Sequence, residues 1–382
     1  MLQSLYVSLF LLISVFCYVS PIFQGLDTKP FYLLLSIPLA IIGLRKVNKF
    51  NVIFIFIAVY SLLFFIAYAP LGLNYRGPVQ YIGFLLLFFA FKYVYEYEPE
   101  KPILFIKVFV FTYFLAGLVQ MVLGPEILSS LISVRTTDDR GVTALTPEPA
   151  VYGLMLLGAG LILFLKRAVV SKVWFFLIFI QLFMFSQSAL AILVFVLIMG
   201  TWFLCFRFRY LVLALSLITA YIVFYGLESE GSGRIFRLLN KLAENPSAIL
   251  MVDASINERV AHIVLPIYGL FTNFGVPGGF HSFMGILAQR SEIFNGLFWW
   301  GAPSNVIMSG FSSVLYEMGL AGVLFIVASV GVVFSNKWLC IKDKLFISAS
   351  MFLIMFQAIP ILNPIFPWLL CAAIYYRDSK CK

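Results

Sequence analysis

Long apolar runs alternate with short polar breaks along almost the whole chain. Runs of about 18–20 apolar residues match the ~30 Å hydrocarbon core of a bilayer, so each reads as a spanning helix. The pattern predicts about twelve helices, over roughly 4–22, 31–44, 51–69, 79–95, 102–123, 149–165, 173–187, 189–206, 210–227, 306–334, 345–361 and 365–376. Around Ser186-Gln187-Ser188 two of them form a hairpin with almost no loop. One stretch breaks the pattern. From Glu228 to about Val306 the chain is polar and carries Arg234, Arg237, Arg259, Arg290 and both histidines, His262 and His281. The predicted organisation is therefore a helical bundle over 1–227, a large loop over 228–305 and C-terminal helices over 306–382. Inside the loop, 256–271 reads as an amphipathic helix. Ile256, Val260, Ile263, Val264 and Ile267 form its apolar side, and Glu258, Arg259 and His262 the other.

Composition narrows the class. Of 382 residues 62% are hydrophobic and only 11% charged, with a mean hydropathy of +1.02, whereas soluble domains carry roughly 25% charged residues. The fold class expected is an all-α polytopic membrane protein, since helices satisfy every backbone polar group internally. This excludes a soluble nucleic-acid-binding protein despite the net charge of +9. Residues 1–23 lack the charged start and small-residue cleavage site of a signal peptide and are expected to be the first span.

The positive charge is better explained by topology. With the N-terminus cytoplasmic, most of the basic residues fall in short inner loops, among them Arg45, Lys46, Lys92, Lys101, Lys166, Arg167, Lys172, Arg207, Lys337, Lys342, Lys344 and Arg377. Both termini are then inside. The outer basic residues are Lys29, Arg76, Arg135, Arg140, Arg234, Arg237, Lys241, Arg259 and Arg290, mostly arginine, whose planar fork binds phosphate bidentately. Pairing with outer acids such as Asp138, Asp139, Glu258 and Glu292 is the simpler account of any single one. None of the five cysteines lies in an outer loop, so no disulfide is expected. No metal-ligand spacing occurs either, and no cofactor is expected.

Three outer segments concentrate polar groups: Asn74 to Pro78, residues 124–148, and the long loop. In the second, Arg135, Asp138, Asp139 and Arg140 precede Thr146-Pro147-Glu148-Pro149 at the start of the sixth helix. The prolines set the backbone about Glu148 at a helix start, where an acid also suits the helix dipole. Glu148 is thus either a plain N-terminal acid or a carboxylate positioned as general base or sugar ligand. In the long loop His281 follows a Gly-Val-Pro-Gly-Gly turn; it is either solvated or a base near neutral pH.

Four segments together resemble the O-antigen polymerase (Wzy) family within the O-antigen polymerase/ligase superfamily. They are RGVTALTPEPAVYGLMLLGAG, SQSALAILVFVL, SINERVAHIVLPIYGLFTNFGVPGGF and FSSVLYEMGLAGVLFIV, and the match spans about residues 70–330. The resemblance implies a GT-C-like bundle in the bacterial inner membrane, with the large loop periplasmic. It implies a glycosyltransferase joining oligosaccharide repeat units carried on undecaprenyl diphosphate, both as donor and as acceptor. A chain-length regulator and a flippase are the implied protein partners, and no nucleic acid is involved. Ligases of the group carry a histidine where Met308-Ser309-Gly310 stand here, which favours the polymerase. On this reading Arg140 and Arg259 hold the diphosphate with Arg76 supporting, and Arg135, Asp139, Arg290 and Glu317 bind substrate. The base stays open among Glu148, His281, Glu317 and Asp139, with Glu148 first. A flippase or other transporter, a ligase and a structural assembly partner are the competing expectations.

Overall fold

The computed structural model describes residues 2–19, 31–45, 49–68, 76–136, 141–167, 170–206, 254–280, 282–290, 294, 296–298 and 306–376. The predicted helix over 210–227 and most of the first half of the long loop lie outside the described residues. Among the described residues the chain is all-helical, with no strand. The helices of the first half are α1 Leu2–Val15, α2 Phe31–Gly43, α3 Lys49–Tyr68, α4 Arg76–Tyr97, α5 Lys101–Leu123, α6 Pro149–Leu165, α7 Lys172–Ile180 and α8 Ala189–Cys205. After them come α9 Ala254–Thr272, α10 Phe283–Arg290, α11 Gly310–Met318, α12 Leu320–Ser335, α13 Ile341–Met355 and α14 Ile365–Ile374.

Helix starts follow local chemistry. Pro102 opens α5 and Pro149 opens α6, where a missing N–H costs nothing. The Ser171, Ser188 and Ser309 hydroxyls accept N–H groups of the first turns of α7, α8 and α11. Among the described residues three helices are long and apolar enough to cross a membrane: Phe50–Ala67, Gly77–Tyr97 and Lys101–Leu123. Seven shorter apolar helices accompany them. Their outward side chains are apolar too: Ile66 is 66% exposed, Val122 73% and Leu204 75%. Such a surface is that of a membrane protein, because water-facing helices put polar residues there. The centre is an aromatic cluster in which Phe54, Phe84, Phe88, Phe311, Phe325 and Phe366 meet at ring distances of 4.9–6.2 Å.

Four predicted helices differ from those observed, and the first of them, over 4–22, is helical only over Leu2–Val15 among the described residues. The run over 306–334 divides at Gly319, whose φ of 58° no ordinary side chain adopts comfortably. There the Leu320 N–H donates to the Gly275 carbonyl at 2.9 Å, so an outside turn replaces the helix's own partner. The run over 173–187 is α-helical only to Ile180 and continues as a π turn, Gln181–Ser186. Gln181 anchors that turn, accepting from Tyr152 Oη at 2.7 Å and donating to the Val110 carbonyl at 3.1 Å. The run over 345–361 begins earlier, at Ile341, and ends at Met355.

The amphipathic helix is present as α9, but rotated from the expected orientation. Its buried face is Asn257, Ala261, His262, Leu265, Pro266 and Gly269, and the branched aliphatics Ile263, Val264 and Ile267 are half-buried. His262, expected on the polar side, is 1% exposed. Small residues let α9 approach α11 closely, and Ala261, Leu265, Phe283, Ile286, Phe298, Ile307 and Tyr316 form a second core under the loop.

Candidate functional site

The four resemblance segments form two structural pairs. In the first, the Val142 N–H donates to the Phe185 carbonyl at 2.8 Å and the Ser186 hydroxyl donates to the Pro149 carbonyl at 2.8 Å. Gly141 lies so close to the Phe185 and Ser186 carbonyls that a Cβ has no room. Gln120 holds the same turn from α5, accepting from the Ala144 N–H at 2.7 Å and donating to Thr143 Oγ1 at 3.2 Å. In the second pair, the glycine turn after α9 joins the α11–α12 break. The Gly278 N–H donates to the Tyr316 carbonyl at 2.8 Å, alongside the Gly275–Leu320 bond. Phe280 packs onto Gly77 at the start of α4.

All the positive-φ non-glycine residues among those described sit in these segments: Ala144 at 49°, Gln187 at 44° and Phe274 at 51°. Each such residue costs of order 1–3 kcal/mol, a cost that clusters at functional sites.

One ion-pair cluster joins the two pairs. Glu148, N-cap of α6, lies 3.8 Å from Arg135 and 3.8 Å from Arg259 of α9. The Arg135 backbone is tied to this turn by its N–H, which donates to the Pro147 carbonyl at 2.8 Å. At 3.8 Å the carboxylate attracts both guanidinium groups without hydrogen-bonding them. All three side chains are partly exposed, Arg135 at 52%, Glu148 at 30% and Arg259 at 21%. Exposed pairs of this kind contribute only about 0–1 kcal/mol each, so stability does not account for the arrangement. Beside it, burial raises the pKa of Glu258, against the pull of Arg259 and with a push from Glu148.

Arg259 also lines a small cleft with His262, Met308, Ser309, Phe356, Gln357 and Ala358. His262 stacks on Phe283 with ring centroids 3.9 Å apart. Its Nδ1 accepts the Met308 N–H at 3.2 Å, while its Nε2 is buried without a hydrogen-bond partner among the described residues. Burial lowers its pKa to about 4, so the ring is neutral at physiological pH. The two guanidinium groups of Arg135 and Arg259 suit an anion with several oxygens.

The remaining expected residues stand apart or lie elsewhere. Glu317 is 6% exposed and accepts from Tyr81 Oη at 2.8 Å; next to it Gln80 donates to Ser313 Oγ at 3.3 Å. It does not line the cleft. Arg76 begins α4 and Arg290 ends α10, but their side chains lie outside the described residues, as do Asp139, Arg140 and His281 altogether. The residues that sequence reasoning missed are His262 as a lining group, Ser309 and Gln357. A signal for His262 was available in the small residues Asn257, Ala261 and Gly269, which share its face at helical spacing. No family model matches this chain, and no curated protein matches it.

Proposed function

We propose that this protein is a polymerase of undecaprenyl-diphosphate-linked oligosaccharide repeat units, acting at the outer face of a bacterial inner membrane. The observation that carries the reading is the placement of Glu148 between Arg135 and Arg259, groups drawn from two outer segments far apart in the chain. Glu148 and Arg259 lie in two of the four segments that resemble the polymerase family, and Arg135 lies just before the first.

In the proposed reaction the nonreducing-end hydroxyl of one lipid-linked unit attacks the anomeric carbon of another. A new glycosidic C–O bond forms, the anomeric C–O bond to phosphate breaks, and undecaprenyl diphosphate leaves with the bonding electrons. Arg135 and Arg259 stabilise the charge that develops on the departing diphosphate. As the diphosphate takes the guanidinium groups, Glu148 is released from them and accepts the proton of the attacking hydroxyl. Arg140, Arg76 and Arg290 are proposed to add positive charge for the same substrate, with Asp139 and His281 in supporting polar roles. Apolar outer helix faces such as those of Leu63 and Ile66 hold the polyprenyl tail.

A transporter of the same lipid-linked units is the second reading. The enclosed Glu317–Tyr81 pair favours it, since ionisable groups inside helical bundles mark transport paths. Deleting the gene in the native host and resolving the surface polysaccharide on a gel separates the two. Single repeat units at the surface, with a ladder restored by wild type and not by Arg259→Ala, support the polymerase. Accumulation of lipid-linked units inside the cell refutes it and supports the transporter. For Arg259→Ala, loss of one preorganised donor corresponds to a drop of about 10²–10³ in turnover.

A further inference from the structure

We propose that His262 is a hydrogen-bond donor, through Nε2–H, to a phosphate oxygen of the diphosphate that Arg259 engages, and is not the general base. This inference deepens the polymerase reading and rests on it for the identity of the ligand.

The tautomer follows from the backbone. The Met308 N–H points at Nδ1, so Nδ1 must offer its lone pair and the single proton of the neutral ring sits on Nε2. A ring in that state has no second lone pair to act as base unless it gives up Met308. Stacking on Phe283, with 15° between the ring planes, prevents the imidazole from turning to another partner. What is left is an N–H donor, buried and without a partner among the described residues, on a residue that lines the cleft.

Leaving a buried donor unsatisfied costs about 1–3 kcal/mol, and buried polar groups are otherwise nearly always paired. The surroundings indicate what the donor serves. Arg259 stands one turn before His262 on α9, so the two side chains share a face and line the same cleft. A cation and a neutral N–H side by side fit an anion with several oxygens, the guanidinium taking most of the charge. A neutral imidazole donor is also the form that burial enforces, since its pKa is lowered to about 4. With Nδ1 held by the Met308 N–H, the ring offers no lone pair to the attacking hydroxyl, whose proton goes to Glu148.

Amide replacements separate the two ring nitrogens. Glutamine places an N–H near the Nε2 position, whereas asparagine reproduces only the Nδ1 position and can keep the Met308 bond. In proteoliposomes supplied with lipid-linked repeat units from the host, His262→Gln is expected to keep most of the turnover. His262→Asn and His262→Phe are expected to lose about 10²–10³. Activity in His262→Asn with loss in His262→Gln, at matched melting temperatures, overturns the proposal, because the ring then serves only to hold Met308.

A second readout covers variants that fail to fold. In wild type labelled with ¹⁵N-histidine, the resonance missing from the His262→Gln spectrum is expected to show protonated Nε2 and bare Nδ1. Undecaprenyl diphosphate should shift that Nε2–H, and phosphatidylglycerol should not. An unmoved resonance, or an equal shift with phosphatidylglycerol, overturns the assignment to the diphosphate. If wild type makes no polymer yet undecaprenyl diphosphate shifts the resonance, the enzyme reading falls while the diphosphate donor stands.

Discussion

At the scale of single residues, the role proposed for Glu148 sets charge that serves a reaction apart from charge that stabilises the fold. Two partly exposed ion pairs at 3.8 Å add little to stability. Glu148→Gln should therefore move the melting temperature in detergent by no more than a degree or two, while abolishing polymer in the gel assay. His262 behaves oppositely. Its folded pKa is about 4 against an ordinary 6.5, so the unfolded chain binds the proton first as pH falls. The stability it contributes is complete above about pH 6.5 and is lost toward pH 4, up to ~3 kcal/mol. Melting curves between pH 4 and 7 should show this acid loss in wild type and not in His262→Gln. Glu258 has the reverse sign, because its folded pKa is raised. Its ionisation opposes folding as pH rises through the carboxylate range, so Glu258→Gln should raise the melting temperature at pH 7 and have no effect at pH 4.

At the scale of elements, two backbone junctions bring the site together, and both depend on glycine. Gly319 sits at φ 58° with the Gly275 carbonyl where its Cβ would be. Gly141 meets the Ser186 and Phe185 carbonyls in the same way. Alanine at either place has no flexible neighbour to displace, since the obstacles are backbone atoms. Gly319→Ala also takes on a strained φ and should cost about 2–4 kcal/mol, read as a lowered melting temperature. Gly141→Ala should act more locally, weakening the 135–148 turn, and polymer formation should fall further than thermal stability. The predicted helix over 306–334 failed for the reason this junction exists. Hydropathy does not register that one glycine turns its chain toward a turn some forty residues earlier. Likewise His262, expected on the polar side of α9, is buried, because small residues rather than bulky aliphatics mark the side on which two helices come closest.

For the molecule as a whole, charge and contacts agree on two ends. The polar contacts Lys101–Ser4, Lys101–Glu98, Tyr375–Glu96, Arg167–Asp343 and Asn336–Tyr376 connect the loops richest in lysine. Buried Lys92 reaches the Gly43 carbonyl at 3.2 Å near the same end. The Glu148 cluster and the glycine turn occupy the other ends of α6 and α12. In a cysteine-free background, Ile127→Cys should react with an impermeant thiol reagent in intact cells. Lys337→Cys should react only after the membrane is opened. The opposite labelling would invert the proposed topology and remove the site from the periplasmic face.

The sequence by itself determined that the chain is an apolar helical bundle, where most of its helices lie and which segments are polar enough to carry chemistry. Those properties are local, set by hydropathy over a window of residues and by prolines and serines at helix starts. The four segments could be marked out along the chain, but not that they pair two by two. Only the tertiary structure decided that Arg135 and Arg259 share one carboxylate, that Glu317 is enclosed against Tyr81, and that His262 faces inward with one nitrogen satisfied and the other free of any partner. These depend on how helices rotate and approach one another, which close packing between distant parts of the chain sets and no local window contains.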